Sequence, residues 1–212
     1  GNTSTAIQTV TIVDNTNPTI TAPANVTLNA NSACSAFNVA LGTPVTADNC
    51  SVASVTNNAP TVFPIGTTTV TWTVTDAAGL TATTTQTVTI VDQIVPVIYA
   101  PVEVITYANS NCEATNVNLG IPVTSDNCTV ASVVNNGLAS FPIGTTTVTW
   151  TVTDGYGNTA TAQQLVTVLD TISPTAVITN ISVNLLTTGP VEITAQDVAG
   201  ASFDNCGVST IE

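Results

Sequence analysis

A period of 78 residues runs through the chain. Asp14, Asp92 and Asp170 stand 78 apart, and so do Pro18, Pro96 and Pro174. Cys34 returns as Cys112, Cys50 as Cys128 and again as Cys206, Trp72 as Trp150, and Asp76 as Asp154. Aligned without gaps, residues 14–91 and 92–169 are identical at 48 of 78 positions. A period in this range signals one small folding unit copied in series. Residues 14–91 therefore read as repeat 1, residues 92–169 as repeat 2, and residues 170–212 as the first part of a divergent third repeat. Residues 1–13 (GNTSTAIQTVTIV) align with Gly79–Val91 (GLTATTTQTVTIV), so they read as the last strand of a preceding repeat. Both ends fall inside repeats, and the segment reads as a window onto a longer tandem array.

Inside one repeat the pattern is all-β. In Thr67–Asp76 (TTTVTWTVTD), Val70, Trp72 and Val74 alternate with threonines. A period of two places Val and Trp on a buried face and Thr on an exposed one. Asp76-Ala77-Ala78-Gly79 then reads as a hairpin turn, with glycine in a left-handed position at its end. Its counterpart is Asp154-Gly155-Tyr156-Gly157. A second alternating strand follows over Thr81–Val91. Shorter strands are expected near Val26–Leu28, Phe37–Leu41 and Val52–Thr56. No helical periodicity of useful length is visible. Several short strands with turn signals between them predict a small Ig-like β-sandwich per repeat. Junctions closed by proline leave little slack, so the predicted object is a linear rod of tandem domains.

The charge balance removes whole classes of function. The chain has 13 acidic residues, no Lys, Arg, His or Met, and a formal net charge of −13. Without cationic side chains it cannot neutralise phosphates, which argues against nucleic-acid binding and against binding to an anionic membrane surface. No His or Lys is available as a general base or Schiff-base amine. No carboxylate pair stands out from the repeat as a glycosidase-like site, so no catalytic residue is assigned and the chain is not read as an enzyme. Disorder is excluded by 43% hydrophobic residues and a mean hydropathy of +0.40, since disordered acidic segments lack such content. No apolar run reaches the roughly 18 residues needed to span a bilayer, so direct membrane insertion is not expected.

A domain of this size has a limited core and invites a staple. Cys34 with Cys50, and Cys112 with Cys128, are the expected disulfides, each closing a short loop. A free-thiol metal site is the alternative, although two thiols without His make a poor zinc set. Cys206 is left unpaired, because Pro190 occupies the place of Cys34 and Cys112; its partner is expected beyond Glu212.

Eight carboxylates recur in the repeat frame. Asp14, Asp92 and Asp170 fall at domain junctions, and Asp48, Asp126 and Asp204 precede the Asn-Cys pairs. These six are the candidate calcium ligands, because calcium takes carboxylate and carbonyl oxygens. The competing reading is that they cap turns through their own backbone. That reading is stronger for Asp76 and Asp154, each of which starts a tight turn. Beyond calcium, no cofactor is expected. Trp72 and Trp150 belong to the Val/Trp/Val stripe and read as core. Tyr99, Tyr107 and Tyr156 lack counterparts in the other repeat, and Tyr156, at a turn tip, is the exposed one best placed to touch a ligand.

Four stretches carry a resemblance: Pro18–Val26 (PTITAPANV), Cys34 with Asp48-Asn49-Cys50, Phe63-Pro64-Ile65-Gly66 running into TTTVTWTVTD, and TVTIVD ending at Asp92. The repeat resembles the hyalin-repeat family of Ig-like extracellular modules over almost the whole chain. Family members often carry Cys where this chain has Ala22 and Thr84. The Thr-, Val- and Asn-rich version is similar to repeats of giant Bacteroidetes surface adhesins of the gliding-motility type. That resemblance implies an extracellular location on a bacterial cell surface, export by the type IX system, and O-glycosylation at Thr171 within Asp170-Thr171-Ile172.

The expected function is a structural stalk. Tandem domains hold a binding tip, outside residues 1–212, away from the cell and toward an extracellular surface or glycan, and the partners are neighbouring repeats of the same long chain. Two alternatives differ in kind. The repeats could bind glycan themselves, weakly and many times over, or serve as spacers in a secreted polysaccharide-degrading enzyme.

Overall fold

The computed structural model describes residues 1–182, 190, 192–198, 200 and 202–208. Repeat 1 contains β1 (Thr19–Thr21), β2 (Val26–Asn29), β3 (Ser35–Phe37), β4 (Val45–Ala47), β5 (Val52–Asn57), β6 (Val62–Pro64), β7 (Gly66–Asp76) and β8 (Thr81–Val91). Repeat 2 copies them as β9 (Val97–Tyr99), β10 (Val104–Tyr107), β11 (Glu113–Thr115), β12 (Val123–Ser125), β13 (Val130–Asn135), β14 (Ser140–Pro142), β15 (Gly144–Asp154) and β16 (Thr159–Leu169). In the third repeat Thr175 bridges antiparallel to Phe203, and a helical turn α1 covers Ala195–Val198. The all-β, tandem sandwich expectation holds.

The β7–β8 hairpin is the frame of repeat 1. Its register pairs Val70 with Gln86, Trp72 with Thr84 and Thr75 with Thr81. β5 adds antiparallel to β7, and β2 adds parallel to β8, giving the order β2-β8-β7-β5. The pairs β1-β4 and β3-β6 supply the second layer. Repeat 2 has the same order, β10-β16-β15-β13.

Period two decides what lies inside. Along β7 the buried positions are Val70, Trp72, Val74 and Asp76, and along β8 they are Gln86, Val88 and Ile90. Val70, Trp72, Val88 and Ile90 form the core with Ala30, Ala36 and Phe63. The outer threonines face each other across strands, as in Thr67 Oγ1 and Thr89 Oγ1 at 3.4 Å, a pairing that favours the hairpin. Gly79 and Gly157 adopt φ of 91° and 93°, the left-handed geometry expected of the turn.

The core has a polar centre. Trp72 Nε1 donates to Gln86 Oε1 at 3.1 Å. Gln86 Nε2 donates to the carbonyls of Ala24 at 2.6 Å and Leu41 at 2.9 Å. Gln86 is fully buried, and a buried amide is tolerated only when its donors and acceptor are used. Repeat 2 reproduces the arrangement with Trp150, Gln164, Val102 and Leu119. The core reading of both tryptophans therefore holds, and each also anchors a hydrogen bond.

Two local expectations are corrected. The strand placed at Phe37–Leu41 lies instead at Ser35–Phe37, because Asn38 turns left-handed with φ 55° and ends it. Val39 and Leu41 still pack on the core, from a loop. Residues 1–13 form no strand, and Ile7 and Ile12 are exposed. Alternation supplies a face, but a strand also needs a hydrogen-bonded edge, and β8 has two, on β7 and β2.

Candidate functional site

Each repeat has two ends, and its chemistry gathers there. β2 runs parallel to β8 with Asn29 opposite Val91, and Ala30 N donates to Val91 O at 2.7 Å. The turn holding Cys34 therefore follows the last residues of β8, at the trailing end. β4 pairs with β1, Ala47 opposite Thr19, and Asn49 Nδ2 donates to Asp14 Oδ1 at 3.1 Å. The turn holding Cys50 therefore sits at the leading end.

This polarity overturns the expected disulfides. Cys34 and Cys50 are close in sequence but lie at opposite ends of the domain. Cys50 is a free, exposed thiol. Cys112, at the trailing end of repeat 2, is bonded to Cys206 of the third repeat, 94 residues on, with Cα atoms 4.9 Å apart. Cys112–Cys128 is thus not a pair, and Cys206 is not left unpaired; its partner lies within residues 1–212. Cys34 and Cys128 are each disulfide-bonded too. Cys34 and Cys112 both adopt left-handed φ, 57° and 62°. The bond Cys112–Cys206 joins consecutive repeats covalently, where the sequence suggested a staple within each.

The carboxylates of the leading ends are held by turns. Asp14 Oδ1 accepts from Thr16 N at 3.0 Å. Asp48 Oδ2 accepts from Cys50 N and Ser51 N, both at 2.9 Å. Asp92 Oδ1 accepts from Ile94 N, Asp126 Oδ2 from Cys128 N and Thr129 N, Asp170 Oδ1 from Ile172 N, and Asp204 Oδ2 from Cys206 N. The turn-capping role is present at all six positions, but it uses one oxygen of each.

The other oxygen is informative. Asp14 Oδ2, Asp48 Oδ1 and Asp76 Oδ2 are each buried with no hydrogen-bond partner. Asp14, Asp48 and Asp76 each offer a carboxylate oxygen within 4.8 Å of the others. The structure thus brings together Asp14 and Asp48, as singled out from the sequence, and adds Asp76, which the sequence reading set aside as a turn residue. Asp76 does cap the hairpin, its Oδ1 accepting from Leu80 N at 2.8 Å. The missed signal was position: Asp76 continues the inward alternation of Val70, Trp72 and Val74, so its side chain enters the domain. Asp170 and Asp204 also approach each other, beside Cys206; that sulfur is held in a disulfide and is not a thiolate ligand.

Hydrogen bonds from Thr16 N and the Asn49 amide hold the Asp14 carboxyl below its ordinary pKa, against a smaller opposing effect of burial. The Cys50 thiol hydrogen-bonds to Asp14, which with burial and the charges of Asp14, Asp48 and Asp76 raises its pKa. Tyr99, Tyr107 and Tyr156 are all exposed, and Thr171 is exposed beside the Asp170 turn.

The model of the HYR domain matches residues 13–90 and 91–168. Hyalin of Strongylocentrotus purpuratus is 34% identical over 193 residues, covering 84% of this chain and 16% of that protein. Hyalin of Lytechinus variegatus is 34% identical over 183 residues, covering 80% of this chain and 34% of that protein. The chain thus spans a minor part of the length of both relatives. Among solved structures, Drosophila N-cadherin EC1-4 shows 9% identity and a TM-score of 0.39, covering 73% of this chain and 50% of that chain, a similarity too low to carry an argument. Among the described residues, no helix is long and apolar enough to cross a membrane.

Proposed function

The chain belongs to the HYR domain family, and from that premise we propose that it is a load-bearing stalk segment of an extracellular cell-adhesion protein. The observation that carries this reading is the Cys112–Cys206 bond, which ties the trailing end of one repeat to the leading end of the next. A bond there shields the intervening strands from tension and does nothing for a binding surface. Cystine also fits an oxidising compartment. The similarity to hyalin supports an adhesive setting, and the function needs no catalytic step.

The finer version of the reading puts the stalk in a giant bacterial surface adhesin of the gliding-motility type, exported by the type IX system and extending a binding tip toward a surface or glycan. What supports it is the Thr-, Val- and Asn-rich repeat and a surface that offers trypsin-like proteases no Lys or Arg. Repeats that bind glycan themselves need a recurring exposed patch. Tyr99, Tyr107 and Tyr156 correspond to Thr21, Asn29 and Ala78 in repeat 1, so no aromatic patch recurs.

Single-molecule pulling of the chain tests the load-bearing role. Each bond of this span should hide roughly 300 Å of chain, released only after reduction. Identical extension with and without reductant would remove the stalk reading. Labelled electron microscopy of the native source tests the surface placement: filaments on cells are expected, and compact soluble particles would contradict it.

A further inference from the structure

We propose that Asp14, Asp48 and Asp76 form a divalent-cation site at the leading end of repeat 1, with calcium as the best-suited ion. The first ground is the unpartnered oxygen of Asp76. Asp76 is only 2% exposed, and its Oδ2 is buried without a hydrogen bond. An ionised carboxylate in that position is costly unless it is paired or bound to a cation.

The second ground is the convergence of three such groups. Asp14 and Asp48 reach the same point, each with one oxygen fixed on backbone amides and the other buried and unpartnered. The fixed oxygens orient the carboxylates, and the three residues each offer a carboxylate oxygen within 4.8 Å of the others. Like charges at that spacing repel.

The third ground is the composition. In most proteins an acidic cluster is neutralised by Lys or Arg. This chain has neither, and no His. Compensation must therefore come from solution, as a proton or as a metal ion. An all-oxygen, triply carboxylate donor set matches a hard cation, and calcium, with six to eight oxygen ligands and loose geometry, accepts it more readily than magnesium. Water and nearby carbonyls would complete the shell.

Repeat 2 supplies the internal contrast. Its Asp154 uses both oxygens within the domain, because Asn158 Nδ2 donates to Asp154 Oδ2 at 2.6 Å. Repeat 1 has Leu80 at that place, which cannot donate from its side chain. Leu80 thus leaves Asp76 Oδ2 available for a metal.

The test is calcium added to the whole chain, read by calorimetric titration and by thermal unfolding in calcium and in chelator. The parent should bind calcium and melt at higher temperature with it. Asp76→Asn should lose one binding event or weaken it at least roughly tenfold. In chelator the same variant should melt at or above the parent, since it removes one of three like charges. Leu80→Asn, which offers Asp76 an amide, should weaken calcium binding in the same direction. If Asp76→Asn does not fold, Asp48→Asn takes its place with the same expectations. Absence of calcium binding by the parent, or binding unchanged in these variants, overturns the proposal.

Discussion

The hairpin turns of the two complete repeats differ in a way that their shared sequence conceals. Both begin with a buried aspartate on the inward face of the long strand and end with a left-handed glycine. In repeat 2, Asp154 is fully engaged by the amides of Tyr156 and Asn158 and by the Asn158 side chain. In repeat 1, Asp76 holds Leu80 N and keeps an oxygen unpartnered. One residue, Leu80 against Asn158, separates a carboxylate satisfied by its own turn from one left for an outside partner. A second exchange is steric. Ala77 becomes Gly155 where Ser51 becomes Thr129, and a Cβ on Gly155 would meet Thr129 Oγ1 at 2.6 Å. The fold is copied, while its turns are retuned in matched pairs.

The largest expected effect breaks the series connection. Cys206→Ser opens a bond that spans 94 residues, which the chain-entropy model values at about 4–5 kcal/mol. Chemical denaturation under non-reducing conditions should show that loss. Cys50→Ser, which removes a free thiol, should leave stability nearly unchanged.

Next comes the shared core, where the repeats should not differ. Trp72→Ala and Trp150→Ala should each cost about 3–5 kcal/mol, with the hydrogen bond to Gln86 or Gln164 lost in addition. Clearly unequal costs would show that the matched cores are not energetically equivalent.

A smaller effect tests the steric pair. Gly155→Ala should destabilise repeat 2 by about 1–3 kcal/mol through overpacking. Adding Thr129→Ser, which restores the repeat 1 combination, should recover part of it. Failure of that rescue would separate the two exchanges.

The smallest effect concerns acid. Burial pushes the Asp154 pKa up, but hydrogen bonds from the Asn158 side chain and from the amides of Tyr156, Asn158 and Gly157 outweigh it, and the net shift is downward. A depressed carboxylate stabilises fully above its unfolded pKa of about 3.9 and loses that contribution as pH falls through the folded value. Asn158→Leu should therefore lower the melting temperature by a few degrees at neutral pH, and the difference should shrink in strong acid. A constant difference across that range would remove the assignment.

Much of this was legible in the sequence, for physical reasons that mark its limits. β7 and β8 were readable because eleven alternating residues leave one register that buries Val and Trp. The three-residue strands β1, β3, β4 and β6 carry too little period to be placed, and Asn38 ends β3 by a backbone conformation that no pattern announces. Gln86 sits in a threonine-rich strand, and only the register reveals that it lies beside Trp72. The cysteines misled because 16 residues of separation looks like a short loop, whereas the sheet puts Cys34 by Val91 and Cys50 by Asp14. Nearness in the chain does not give nearness in a two-layer fold whose turns alternate between ends.

The most direct measurement is non-reducing peptide mapping after alkylation, with cleavage at acidic or aromatic residues because the chain lacks Lys and Arg. A peptide containing Cys112 should be found joined to one containing Cys206, with the alkyl label on Cys50. Linkage of Cys34 to Cys50, or of Cys112 to Cys128, would contradict a covalent connection between successive repeats.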